Sequence, residues 1–171
     1  MAERKRFIER LSPLCEHFHY ELSGGRETLR AVYEPSVEGE HGKLKEKLLN
    51  ALKQNLERDI RNKATGVGPH KDDIAFKIGD RDLRWFGSQG QQRTAALALK
   101  LAQLELMKEE LGEYPVLLLD DVLSELDIAR QERLLSRLKG VQALITAAEL
   151  SESLRKLSAR IIRVKEGKLY F

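Results

Sequence analysis

One cysteine, Cys15, stands among 171 residues. An internal disulfide is thereby excluded, and so is a zinc site built on cysteines. No stretch is apolar for long enough to read as a membrane span, and the N-terminus has no apolar signal-like core. Internal repeats and low-complexity segments are lacking as well. Charge of one sign is not in large excess. There are 30 basic and 27 acidic residues, for a formal net charge of +3. A balance this mild permits contact with nucleic acid but does not argue for it. What is present is the mixture of a soluble domain, 42% hydrophobic and 33% charged. The length suits one domain, or a domain with a small annex, with a real core. A cytoplasmic protein without a membrane partner fits all of this.

Periodicity divides the chain into an N-terminal part and an α/β tail. Phe7, Ile8 and Leu11 sit at helical spacing among Arg4, Lys5, Arg6 and Arg10, so Ala2 to Leu14 reads as a helix that breaks near Pro13. Ser23, Gly24 and Gly25 read as a turn, and Leu29 to Tyr33 as a short strand. The stretch 38–42, which includes His41, reads as a loop. Lys43 to Ala64 reads as a helix, with Leu44, Leu48, Leu52, Leu56 and Ile60 every fourth residue. Its Lys43–Lys63 span is basic: either a solvated face or a surface for phosphates. Ile74, Phe76 and Ile78 alternate, and Gly79-Asp80 can turn the chain back toward Leu83 and Trp85 as a hairpin. Gln91 to Leu111 reads as a long helix that Gly112 ends. Val116 to Asp121 and Val141 to Thr146 read as strands buried on both faces, separated by a helix over Ile128 to Lys139 that Asp127 caps. A short helix over Glu149 to Leu157 and a hairpin over Arg160 to Phe171 close the chain. Strand alternating with helix predicts a parallel sheet with flanking helices.

Two segments carry residues suited to chemistry. "VLLLDD" ends a buried strand in two carboxylates, at the edge where open α/β sheets bind ligands. Asp120 has the hard oxygen ligand that Mg²⁺ favours. Asp121 could orient or deprotonate an attacking water. The plain alternative is a pair of aspartates satisfying a turn. "GSQGQQRT", Gly87 to Thr94, opens the long helix with glycines, a serine and glutamines. Unpaired N–H groups and a positive dipole end make such a start an anion site. The plain alternative is a serine cap before a core helix.

The order of these pieces is harder to reach by chance. "GPHKDD" (Gly68 to Asp73), a hairpin, "GSQGQQRT" and "LLLDDVLSELD" (Leu117 to Asp127) together resemble the RecF family of bacterial replication and repair proteins. The resemblance is firm from Thr65 onward and extends more weakly over the first sixty-odd residues. It implies the C-terminal part of an ABC/SMC-like ATPase head, with residues 1–64 as the end of an arm subdomain and 65–171 as the C-terminal lobe of the head. It implies ATP and Mg²⁺ as cofactors, with Ser88, Gln89, Gly90 and Gln91 touching the γ-phosphate of a nucleotide held by the opposite subunit. Asp120 takes the Walker B place, Asp121 the catalytic carboxylate place, and Ser124 and Asp127 the D-loop. His70, Asp72 and Asp73 belong to the family pattern with no role that the residues themselves assign; a capped, hydrogen-bonded turn is their plain reading. The implied partners are gapped DNA and single-strand/double-strand junctions, RecO and RecR in aid of RecA loading, and a second copy through an ATP-dependent homodimer. A nucleoid-associated bacterial protein is implied with them.

One expected motif is missing. A phosphate loop, G-x-x-x-x-G-K-S/T, occurs nowhere. Gly42-Lys43 comes nearest, but Val37 and Leu44 fill the other positions. Family members are about twice this length, so the chain reads as the C-terminal part of a head whose N-terminal half completes the site. After the second buried strand, Thr146, Ala147 and Ala148 stand where many ABC ATPases carry a γ-phosphate-sensing histidine. Two other readings remain: a head fragment of another SMC- or Rad50-like ATPase, and a non-enzymatic DNA- or partner-binding module that uses the basic helix.

Overall fold

The computed structural model describes residues 1–39 and 42–170. The sequence readings that touch His41 and Phe171 lie outside them. The chain forms two compact units, 1–115 and 116–171.

The first unit is built on two long helices. Helix α1 spans Ala2–Ser23, and α4 spans Gln89–Leu111. They pack on each other. Helix α1 buries Ile8, Leu11, Cys15, Phe18 and Leu22, and α4 buries Leu97, Ala98, Leu101, Ala102 and Leu104. Each fully buried leucine stabilises by about 2 kcal/mol. That packing carries α1 straight through Pro13, where the sequence predicts a break. The lost N–H and the ring clash cost about 3 kcal/mol, less than the summed burial of the α1 face. Leu111, the last residue of α4, is exposed where Gly112 ends the helix in the left-handed conformation.

A three-stranded antiparallel sheet completes this unit, in the order β1-β2-β3. Strand β1 (Leu29–Glu34) runs against β2 (Asp73–Ile78), with Leu29 opposite Ile78 and Glu34 opposite Asp73. The backbone N–H of Ala31 donates to Ser12 Oγ and so ties β1 to α1. The strands on either side of residue 64 therefore share one sheet, and helix α2 (Leu44–Asn62) is an excursion between them. No residue of α2 is buried; Ile60 is 70% exposed. The second arm of the expected hairpin is short. Strand β3 is only Arg81–Asp82, and Leu83–Phe86 turns into a single helical turn, α3. The Asp82 carboxylate accepts the Arg84 N–H and caps that turn, so Trp85 faces solvent instead of joining the strand, 75% exposed.

The second unit contains a parallel pair. Strand β4 (Leu117–Asp120) lies in register with β5 (Ala143–Thr146), Asp120 opposite Thr146. The crossover is helix α5 (Ile128–Arg137), which buries Gln131, Leu134 and Leu135. Both strands were expected to be buried on both faces, and they are not: Leu119 is buried while Leu118 is 70% exposed and Leu144 is also open. The two strands present one covered and one open face. Helix α6 is shorter than expected, Glu152–Arg155, with Ser151 as its cap. The closing hairpin pairs β6 (Arg163–Lys165) with β7 (Lys168–Tyr170).

Candidate functional site

The glycine-rich helix start is held by side chains. Ser88 Oγ accepts the Gln91 N–H, and Gln91 Oε1 accepts the Ser88 N–H, a complete capping box. The Gln91 Nε2 group donates outward to Glu27 Oε1 at 2.7 Å. Gln92 Nε2 donates to the Leu83 carbonyl, and Thr94 Oγ1 to the Gly90 carbonyl. Gly87 makes the approach possible: a Cβ there would lie 2.6 Å from the Leu83 carbonyl oxygen. The small and amide residues thus have structural duties. They also leave something over. Ser88 uses its oxygen as an acceptor and keeps its hydroxyl proton as a donor. Ser88 and Gln89 are exposed and Gly90 is half-buried. Serine capping and a helix start with free donors coexist here.

The carboxylate pair sits at the carboxyl end of β4. Asp120 Oδ1 accepts the Thr146 hydroxyl, and Thr146 Oγ1 accepts the Asp121 N–H at 3.0 Å. One threonine therefore joins the ends of both parallel strands. Asp121 adopts the left-handed region, φ 51°, a conformation that aspartate tolerates better than most residues. This turn separates the two carboxylates in role: Asp120 is tied to β5, while the Asp121 carboxylate makes no hydrogen bond among the described residues. Ser124 Oγ donates to the Asp121 carbonyl at 2.8 Å, within the single 3₁₀ turn Val122–Glu125. Asp127 caps α5 by accepting the Arg130 N–H, and its other oxygen meets the Arg130 guanidinium at 2.9 Å. The Arg130 N–H holds the Asp127 carboxyl below the usual carboxylate range against the opposing effect of burial, with the Arg130 and Arg133 charges adding to it. Beneath this turn, buried Gln131 donates Nε2 to the Leu123 carbonyl at 2.8 Å and to the Leu126 carbonyl at 3.1 Å.

The Gly68 to Asp73 segment is a hydrogen-bonded turn. Asp72 is the hub, its side chain 2% exposed. It accepts the Tyr33 hydroxyl, the Ser36 N–H and the Arg4 guanidinium. Burial opposes the charge of Asp72, but those donors outweigh it and lower its pKa. Burial, together with the same Asp72, pushes the Tyr33 hydroxyl up to about 12. A ring nitrogen of His70 lies 2.9 Å from the Thr65 carbonyl. Asp73 pairs with Arg84 at 2.8 Å, linking the turn to the segment just before Gly87.

The motif residues fall into two groups. Ser88, Gln89, Gly90 and Gln91 belong to the unit 1–115; Asp120, Asp121, Ser124 and Asp127 belong to the unit 116–171. Among the described residues no cluster of three or more histidine, cysteine or acidic side chains could hold a metal ion by itself. Sequence reasoning missed three supporting residues. Thr146 was visible only as the occupant of a sensing position. Gln131 and Glu27 carried no signal, since an amide on a helix and a carboxylate in a loop read as surface.

No protein-family model matches the chain. Individual relatives do. It is 47% identical over 169 residues to the DNA replication and repair protein RecF of Lachnoclostridium phytofermentans, covering 98% of this chain and 45% of that protein. It is 44% identical over 172 residues to the RecF of Alkaliphilus oremlandii, covering 97% and 47%. The chain spans about half the length of the curated relatives it matches. A solved structure of the recombination mediator protein RecF with ATPrS, in the RecFOR pathway, superposes with a TM-score of 0.80 at 38% identity, covering 97% of this chain and 44% of that one. The SMC head bound to the C-winged helix domain of ScpA shares the fold at a TM-score of 0.51 and 16% identity, covering 87% and 36%. Sequence and fold together place this chain in the RecF family of DNA replication and repair proteins, as the counterpart of the C-terminal half of its members.

Proposed function

We propose that the chain supplies the signature, Walker B and D-loop side of a RecF-type ATPase head. The observation that carries this reading is the strand-end arrangement: Asp120 fastened to Thr146, with the Asp121 carboxylate beside it left without a partner among the described residues. In that head Ser88 offers a hydroxyl proton, and Gln89 and Gly90 offer helix-start N–H groups, to the γ-phosphate of a nucleotide seated on the opposite subunit. Gln91 braces that start. Asp120 fits a hard cation, since one of its oxygens remains beyond the Thr146 bond, but it is one ligand only. Mg²⁺ bound there would neutralise phosphate charge, with water and phosphate oxygens completing its shell. The Asp121 carboxylate orients an attacking water and accepts its proton. Ser124 and Asp127 shape the turn that reaches a second copy.

The wider role follows the family: ATP-dependent dimerisation and DNA binding at gaps and single-strand/double-strand junctions, with RecO and RecR, in aid of RecA loading. On this reading the protein is cytoplasmic and nucleoid-associated; among the described residues no helix is long and apolar enough to cross a membrane. The division into an arm end, 1–64, and a head lobe, 65–171, belongs to the same reading. The sequence holds no phosphate loop, so the chain alone binds ATP weakly and does not hydrolyse it.

Isothermal calorimetry with ATP and Mg²⁺ tests this, on the chain alone and mixed with a RecF-type N-terminal half. Binding only in the mixture supports the split site; hydrolysis there should vanish in Asp121→Asn. Tight binding by the chain alone removes the roles given to Ser88 through Gln91. A second reading has one observation in its favour, the wholly unburied basic helix α2. A DNA- or partner-binding module of that kind binds DNA with steep salt dependence, and keeps doing so after loss of Asp120 and Asp121.

A further inference from the structure

We infer that Glu27 is a positioning residue for the signature loop, and that it links the end of α1 to the nucleotide-facing start of α4. The inference rests on the nucleotide reading of Ser88 to Gln91. Glu27 lies in the connection between α1 and β1, outside every motif of the sequence. Its Oε1 accepts Gln91 Nε2 at 2.7 Å, a charge-assisted bond between half-buried groups. An ionised carboxylate can only accept. It therefore commits the Gln91 amide to present nitrogen to Glu27 and oxygen to the Ser88 N–H, where Oε1 accepts at 2.9 Å. The Ser88 N–H is thereby occupied, and Ser88 Oγ is engaged from the other side by the Gln91 N–H. What remains for a ligand is the Ser88 hydroxyl proton and the N–H groups of Gln89 and Gly90. Glu27 also meets α1 at its backbone: its carbonyl lies 3.4 Å from His19 Nδ1 and shares the Ser23 hydroxyl, at 3.4 Å, with the nearer Tyr20 carbonyl at 3.1 Å, all on the last turns of α1. A displacement of the α1 end is thus passed through Glu27 and Gln91 to the loop that meets the phosphate.

The test uses Glu27→Ala and Glu27→Gln in the full chain. Glutamine can still accept through its carbonyl, so it is the rescuing variant. The first readout is NMR of the chain alone: the Gln91 side-chain amide resonances and the hydrogen exchange of the Ser88 N–H. Glu27→Ala should move the former and speed the latter by about threefold or more, as expected when one member of a short hydrogen-bonded chain is removed. Glu27→Gln should leave both near the parent. The second readout is ATP-driven association in the mixture with the N-terminal half. Glu27→Ala should weaken it by about tenfold while the chain alone keeps the parent's far-UV spectrum at the assay temperature, and Glu27→Gln should restore it. Unperturbed Gln91 resonances in Glu27→Ala overturn the contact. Perturbed resonances with full association overturn the positioning role. If the parent mixture shows no ATP-driven association, the nucleotide reading falls and the role of Glu27 falls with it, while the NMR readout still reports whether the contact exists.

Discussion

Replacing Gln131 by methionine keeps the volume beneath the D-loop turn and removes both donors to it. Two amide bonds disappear, to the Leu123 and Leu126 carbonyls at 2.8 and 3.1 Å. Both belong to buried residues, so neither carbonyl gains water freely. Two such bonds are worth roughly 1–3 kcal/mol, with about 1 more for a carbonyl left dry. One term runs the other way. Gln131 Oε1 is buried without a partner among the described residues, and methionine relieves that cost, about 1 kcal/mol. The net loss is about 2 kcal/mol. That is a large share for a unit as small as 116–171, whose whole stability at ~0.05–0.15 kcal/mol per residue is only several kcal/mol. Because the chain has two units, a single melting curve does not isolate the effect. Amide hydrogen exchange along α5, β4 and β5 does. Gln131→Met should raise exchange there by about thirtyfold, on the scale of 1.4 kcal/mol per factor of ten, and leave α1 and α4 unchanged. A change under threefold in α5 would refute the account of Gln131 as the support of this turn.

Thr146→Val removes the hydroxyl that joins Asp120 to the Asp121 N–H. It should cost about 1–2 kcal/mol in the β4–β5 pair by hydrogen exchange, with the Asp121 amide changing most. Asp72→Asn should destabilise the unit 1–115 by about 2 kcal/mol, seen by urea unfolding. With Asp72 the folded-state pKa lies below the unfolded value near 3.8. Its contribution is therefore present above that value and is lost as pH falls through the lower, folded pKa. Acid unfolding of Asp72→Asn should show correspondingly less pH dependence. Cys15 behaves in the opposite sense: burial raises its thiol from 9.0 to about 12. Its stabilisation is full below about 9 and is lost as pH rises toward about 12. At neutral pH a thiol reagent should label Cys15 only as fast as the α1–α4 pair opens, and labelling at the rate of a free thiol would contradict that packing.

The long elements were legible because their signals are local. Leu97, Leu101 and Leu104 mark a buried helix face by spacing alone, and Ser88, Gly112 and Asp127 mark helix ends by side-chain chemistry. The same local rules misread Pro13 and the segment Leu83 to Trp85. At Pro13 the burial of a whole helix face outweighs one missing hydrogen bond. At Leu83 the Asp82 cap turns the chain into a helical turn before a strand can extend. Leu118 and Leu144 illustrate a further limit: a run of apolar residues states that burial is favourable, not that something covers both faces. The strand-end carboxylates and the signature stretch were readable as candidates, since oxygen ligands and helix-start donors belong to residue type. Their supports were not, because Thr146, Gln131 and Glu27 act across separations of 26, 5 to 8, and 64 residues.

By itself the sequence determined the residue types at the candidate site, the helices that carry them and the kinship with RecF. Those rest on spacing and side-chain chemistry, which a linear string records. Only the tertiary structure decided which partner each group has: that the Asp120 carboxylate is bound to Thr146 while the Asp121 carboxylate has no partner among the described residues, and that the last turns of α1 reach the signature loop through Glu27. Those depend on hydrogen bonds between residues far apart in the chain, and such bonds exist only once the core has brought the two ends together.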